Sequence, residues 1–195
     1  MTILERIEAL YLWRGRRPCE PGLAKPVSVL EHSLQAAELA EWDDAGHTMI
    51  AAALLHDIGR LLPLPPGADD IDDVHELRAV AYLSEGFGAS VLEPIRLHVQ
   101  AKRYLAARAS GYRLRLSPAS TRSLALQGGP MSELDARLFE ELPFAADAVQ
   151  LRLYDDRAKQ SRKRTPPLSH YLDGLGGLLS ASTEPAHEHA ELGAA

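Results

Sequence analysis

Apolar residues recur along this chain at helical intervals. In 27–42, "VSVLEHSLQAAELAEW", Val27, Leu30, Leu34 and Ala37 share one face, and Ser28 with Glu31 three positions on forms a capping box. That pattern predicts a helix. The next run, 47–62, "HTMIAAALLHDIGRLL", is apolar almost all round, which predicts a helix buried in the interior and ended by "PLPPG". A third helix is predicted in "VHELRAVAYLSEGFG" (74–88), closed by a left-handed cap at Gly86 or Gly88. A fourth spans "SVLEPIRLHVQAKRYLAAR" (90–108), with Pro94 in its first turn. Further along, "SPASTRSLALQ" (117–127) is a short helix stopped by "GGP", and "MSELDARLFEELP" (131–143) starts at an N-cap serine, Ser132. The last long helix is "FAADAVQLRLYDDRAKQ" (144–160). No segment alternates at period two, so strands are expected to be absent or minor and the fold an all-α helical bundle.

Length and composition keep that picture simple. The chain of 195 residues fits one domain, expected over 1–175 with its core at about 27–171; 176–195, rich in small and polar residues, reads as a disordered tail. Hydrophobic residues make up 46% and charged residues 25%, an ordinary balance, and no apolar run is long enough to cross a bilayer. No membrane partner is expected. The N-terminal "MTILERIEALYLWRGRR" carries acids within its apolar stretch and no small-residue cleavage site, so it is not read as a secretion signal. A cytoplasmic location is expected, in keeping with a single cysteine, Cys19, which also excludes a multi-thiolate metal centre. A net charge of −6 argues against nucleic acid as a partner. The one basic run, "RAKQSRKR" (157–164), reads as a solvated helix end.

The apolar run 47–62 raises a chemical question, because His56 and Asp57 stand side by side in its middle. Burying an ionised carboxylate among Leu and Ile costs several kcal/mol unless a cation compensates. Three more histidines, His32, His75 and His98, sit on the predicted helices, as does an acidic pair, Asp155 and Asp156. Any one of these histidines is most simply a hydrogen-bonded core or surface residue. Jointly, imidazoles and carboxylates without thiolate suit iron, manganese or zinc, and a bundle can aim such groups inward from facing helices. Six ligands, with Asp155 or Asp156 as the sixth, suffice for two metals.

"HDIG" (56–59), with "EH" upstream (31–32), resembles the HD-domain superfamily of metal-dependent phosphohydrolases and oxygenases. The likeness continues through "PIRLHVQAKRYL" (94–105), "LSPASTRSLALQGGPMS" (116–132), "LRLYDDRAK" (151–159) and "TPPLSHY" (165–171). Together these are similar to the phosphonate-degrading, mixed-valent di-iron oxygenases of that superfamily, relatives of myo-inositol oxygenase. The resemblance implies that His32, His56 and Asp155 bind one iron, His75 and His98 the other, and Asp57 bridges them. Asp155 is favoured over Asp156 because the family ligand lies four residues before a lysine, here Lys159. It also implies an Fe(II)/Fe(III) pair, O2 as co-substrate, and a substrate phosphonate held by Lys102, Ser120, Ser123 and Arg152.

The chain departs from that family in three places. Members acting on an aminophosphonate carry a tyrosine and then a glutamate shortly before "LEH", where this sequence has Gly22 and Lys25. A family glutamine is Val29, and the residue after "HDIG" is Arg60 instead of histidine or lysine. Lys25 would repel an ammonium, so the expected substrate is a 1-hydroxyphosphonate with a neutral or anionic far end, received by Arg60 and Lys25. Two other functions use the same ligands: a dinuclear phosphohydrolase acting on a phosphoester through a bridging hydroxide, and a metal-binding regulatory protein without turnover.

Overall fold

The computed structural model describes residues 1–19, 26–63 and 74–179. Among these the protein is all-helical, as the apolar periodicity predicts, with two isolated backbone bridges, Pro18 to Ser28 and Phe87 to Leu179, in place of strands. Ten α-helices follow in order: α1 Ile3–Arg14, α2 Val29–Trp42, α3 His47–Leu55, α4 His75–Leu83, α5 Ala89–Arg108, α6 Tyr112–Arg115, α7 Pro118–Leu126, α8 Glu133–Glu140, α9 Ala145–Arg157 and α10 Leu168–Leu175. A 3₁₀ turn, Ile58–Leu61, lies between α3 and α4. No helix of the described residues is long and apolar enough to cross a membrane. Gly22 and Lys25, and the expected tail from residue 180 on, lie outside the described residues.

Local signals explain most of the boundaries. Ser28 accepts from the Glu31 N–H while the Glu31 carboxylate accepts from the Ser28 N–H, the reciprocal box that starts α2. Ser117 and Ser132 cap α7 and α8 in the same sense. After α7 the chain turns through Gly128 and Gly129, both at positive φ.

The principal core is built around α3, which buries Ala51 to Leu55 completely. Ile3, Ile7 and Tyr11 of α1 and Leu168, Tyr171 and Leu175 of α10 close the same core, although neither helix is among those predicted above. Helices α5 and α9 pack along each other, with α8 against them through Met131, Ala136 and Phe139.

Three boundaries differ from expectation. The run 47–62 is not one helix: α3 stops at Leu55, and His56 and Asp57 form a turn before the 3₁₀ segment. The cause is close packing at Gly59, where an added Cβ would stand 1.9 Å from the His75 carbonyl oxygen. Second, α4 ends at Leu83 without a left-handed glycine, and Gly88 instead serves as N-cap of α5 in extended backbone. Third, α5 begins at Ala89, so Pro94 lies in its second turn and removes one backbone donor there.

Candidate metal centre and anion pocket

His32 comes from α2, His56 and Asp57 from the turn after α3, His75 from the first residue of α4, His98 from α5 and Asp155 from α9. All six are buried. Helix α1 fixes the turn that carries the HD pair. The Tyr11 hydroxyl donates to the Leu54 carbonyl at 2.6 Å, and Arg14 donates to the Leu61 carbonyl at 2.7 Å, satisfying acceptors that the helix end would otherwise leave open.

The rings converge nitrogen to nitrogen. His32 Nε2 lies 3.2 Å from His56 Nε2, and His75 Nε2 lies 3.2 Å from His98 Nε2. In His32, His56 and His98, Nδ1 faces a backbone carbonyl: Ala158 at 2.8 Å, Ala53 at 2.9 Å and Ile95 at 2.7 Å. A carbonyl can only accept, so Nδ1 carries a proton in all three, and in His56 and His98, which burial keeps neutral, Nε2 keeps a lone pair. Lone pairs facing each other at 3.2 Å repel unless a cation lies between them. For His75, Nδ1 faces the Glu76 carboxylate at 3.5 Å. Such outer hydrogen bonds are how metal-ligating histidines are oriented.

The carboxylates complete two sets. Asp155 Oδ1 lies 3.3 Å from His32 Nε2, forming a His32, His56 and Asp155 group, while Asp57 joins His75 and His98. Asp57 Oδ1 is 3.2 Å from His75 Nε2, and its Oδ2 is 3.8 Å from His32 Nε2, so its two oxygens look toward different sets. This donor arrangement fits two divalent or trivalent cations sharing one carboxylate.

Electrostatics keep the groups ready. Burial would raise the Asp57 carboxyl, but Arg60 and then His56 and His75 outweigh it and hold it well below the usual range. Asp155 is likewise held low against burial, by Arg152 and then His32. His56 is lowered by burial, and His98 is lowered by burial and by its neighbours His75 and His56, so both stay neutral. His32 moves the other way: burial lowers it, yet Asp155 lifts it overall.

A cavity of about 90 Å³ opens beside the cluster. Its lining includes the four residues expected to bind an anion. Lys102 of α5 donates to Ser123 Oγ at 2.8 Å; Ser120 and Ser123 come from α7, and Arg152 from α9. Burial, and then the charge of Arg152, brings the Lys102 ammonium down to about 8. Arg60 stands at the rim with Nε 2.9 Å from Asp57 Oδ2 and Nη2 3.3 Å from His75 Nε2. Val29 is buried in the principal core, with no part in the cavity lining.

Two further lining residues, Cys19 and Lys159, are not among the site residues expected from the sequence. Cys19 lies with its thiol 3.9 Å from Asp57 Oδ2, pushed up to about 12 by burial and by that carboxylate. Lys159 donates to Ser120 Oγ at 3.1 Å. It reaches the cavity because Gln35 clamps the chain after α9: Gln35 Nε2 donates to the Gln160 carbonyl and Gln35 Oε1 accepts the Gln160 N–H. The basic run 157–164 is therefore not simply a solvated helix end. Lys159 faces the cavity, and Lys163 pairs with buried Glu38 at 2.5 Å and covers the Trp42 ring.

No protein-family model matches the chain. Curated proteins do. It is 44% identical over 165 residues to the hydroxymethylphosphonate dioxygenase of Gimesia maris, covering 80% of each chain. The chain belongs to the HD-domain phosphonate dioxygenases. It is also 38% identical over 174 residues to the 1-hydroxy-2-(trimethylamino)ethylphosphonate dioxygenase (glycine-betaine-forming) of Leisingera caerulea, covering 87% of each chain. An uncharacterised protein of Acanthamoeba polyphaga mimivirus is 38% identical over 159 residues, covering 79% of this chain and 73% of its own.

Proposed function

We propose that this protein is an O2-dependent oxygenase that cleaves the C–P bond of a small 1-hydroxyphosphonate, with hydroxymethylphosphonate the leading candidate. The observation that carries this reading is one small cavity lined both by members of a paired His/Asp cluster and by the cationic and hydroxyl side chains of Lys102, Ser120, Ser123 and Arg152. In it, His32, His56 and Asp155 would hold one iron and His75 and His98 the other, with Asp57 shared between them. A mixed-valent Fe(II)/Fe(III) pair would supply Lewis acidity toward the substrate hydroxyl and electrons for O2 reduction.

The protein's part is positioning. Lys102, Ser120, Ser123 and Arg152 replace the hydration of the phosphonate and so set the hydroxyl-bearing carbon against the cluster. For hydroxymethylphosphonate, atoms balance with one O2 consumed and formate, phosphate and a proton produced. Burial of the whole cluster excludes bulk water from the reacting carbon. These features support a reaction on a small-molecule substrate.

Substrate choice follows from charge. Among the described residues, the carboxylates lining the cavity are Asp57 and Asp155, both assigned to metal, while Arg60, Lys102, Arg152 and Lys159 are cationic. A quaternary ammonium at the far end would find no free carboxylate there. A neutral far end fits, and an anionic one would meet Arg60, with Lys25 as a second receiver on the sequence argument. The test is O2 uptake and phosphate release on a panel of 1-hydroxyphosphonates differing only in the distal group. Equal O2 and phosphate yields, highest for neutral or anionic members, are expected. Phosphate release without O2 would overturn the oxygenase reading; preference for the cationic member, unchanged in Lys25→Glu, would overturn the specificity.

A further inference from the structure

The "DD" pair at 155–156 puts two carboxylates one residue apart on α9, yet only Asp155 faces the cavity. Asp156 turns to the buried guanidinium of Arg152 one helical turn earlier. It accepts from Arg152 Nη2 at short range and from Nε at 3.2 Å, a side-on fork. Asp155 accepts from Nη1 at 2.7 Å. Of the five guanidinium N–H groups, two go to Asp156 and one to Asp155, so two remain for the cavity that Arg152 lines.

The fork is itself held from a third element. Tyr112, the first residue of α6, is buried and donates its hydroxyl to Asp156 Oδ2 at 2.5 Å, while Arg152 Nε also approaches that hydroxyl at 3.1 Å. Its ring packs with Leu105 of α5 and Leu124 of α7, with Leu153 of α9 against them. Tyr112 thus bonds to α9 and shares one apolar cluster with residues of α5 and α7, the helices that carry Lys102 and Ser120 with Ser123.

We propose that Tyr112, acting through Asp156, is a positioning residue: it locks the arginine fork so that Asp156 balances Arg152 and the two remaining N–H groups aim at the phosphonate. Without the hydroxyl, Asp156 keeps its partner but loses its third anchor and can rotate toward solvent at the end of α9. Arg152 then loses its fixed orientation, and its two remaining donors no longer aim steadily at the cavity.

This assignment rests on the anion wall described above, and its test separates the two. The probe is methylphosphonate, titrated calorimetrically into metal-loaded protein, so that binding is read without turnover. Tyr112→Phe keeps the ring, and so the packing, and removes the hydroxyl alone. Its methylphosphonate Kd should rise about tenfold, the loss of one charge-assisted hydrogen-bond network. KM for the hydroxyphosphonate should rise in step while kcat changes less than about twofold and metal content stays at the wild-type level. Because the hydroxyl acts through Asp156, Tyr112→Phe should add no further loss in an Asp156→Asn background. An unchanged Kd in Tyr112→Phe, additive losses in the double variant, or a fall in kcat and metal content in place of the Kd effect would each overturn the positioning role and leave the anion wall standing. Failure of the wild-type protein to bind methylphosphonate would overturn both.

Discussion

Asp57 illustrates how much one residue can demand of its surroundings. It is almost wholly buried in the most apolar part of the chain, and three histidines and Arg60 surround its two oxygens. Removing a bridging carboxylate leaves converging lone pairs without a shared cation, so His56→Ala and Asp57→Ala are each expected to lose most bound metal, measured by elemental analysis of the purified variants. Retention of two metals per chain in either would contradict the ligand assignment. Asp155→Asn should lose metal, whereas Asp156→Asn should keep it, because only Asp155 Oδ1 approaches His32 Nε2. Lys102 gives the pH dependence. Its ammonium, lowered to about 8, is charged below that pH and neutral above it, so anion affinity is present at lower pH and is lost as pH rises through about 8. Phosphonate KM measured from pH 6.5 to 9 should climb above about 8, and Lys102→Met should bind weakly throughout and lose that dependence. These residues were legible because their types are anomalous in apolar helices. Cys19, Lys159 and Tyr112 were not: each is an ordinary residue whose role comes from chain segments brought together only in the fold.

At the scale of elements, the site depends on a helix that stops early. Periodicity extended α3 through the HD pair, since hydrophobic pattern cannot distinguish an α-helix from a turn and 3₁₀ segment of equal burial. What breaks the helix is a contact distant in sequence, Gly59 against the start of α4. Gly59→Ala would place a Cβ 1.9 Å from the His75 carbonyl oxygen and 2.9 Å from the Ala79 nitrogen, both backbone atoms that cannot simply rotate away. Displacing α4 moves His75. The variant should therefore lose at least about 1–3 kcal/mol of stability and the metal held by His75 and His98 before the one held by His32, His56 and Asp155. Thermal melts together with metal counts check this; a fully loaded, undestabilised variant would contradict it. The same limit explains Gly86 and Pro94. Gly86 is required by the approach of Ile3 at 2.9 Å, not by a helix cap, and Pro94 lies in the second turn because Gly88 fixes where α5 begins.

At the scale of the whole molecule, an acidic protein encloses a cationic pocket. The net charge is −6, while Arg60, Lys102, Arg152 and Lys159 concentrate positive charge around one cavity of about 90 Å³. Sequence carried the all-α architecture and the family resemblance, since both rest on local patterns and distinctive motifs. The predicted elements left out α1 and α10, although Ile3, Ile7 and Tyr11 and Leu168, Tyr171 and Leu175 recur at helical spacing; both are short helices whose apolar faces are buried against the core. The central claim is that six buried side chains hold two iron ions that work as one centre. Protein purified without oxygen, reconstituted with iron and oxidised by one electron equivalent per chain should be examined by EPR, with iron counted in the same sample. The account predicts two irons per chain and the signal of a coupled Fe(II)/Fe(III) pair that changes when hydroxymethylphosphonate is added. One iron per chain, or two irons with no coupled signal, would contradict it.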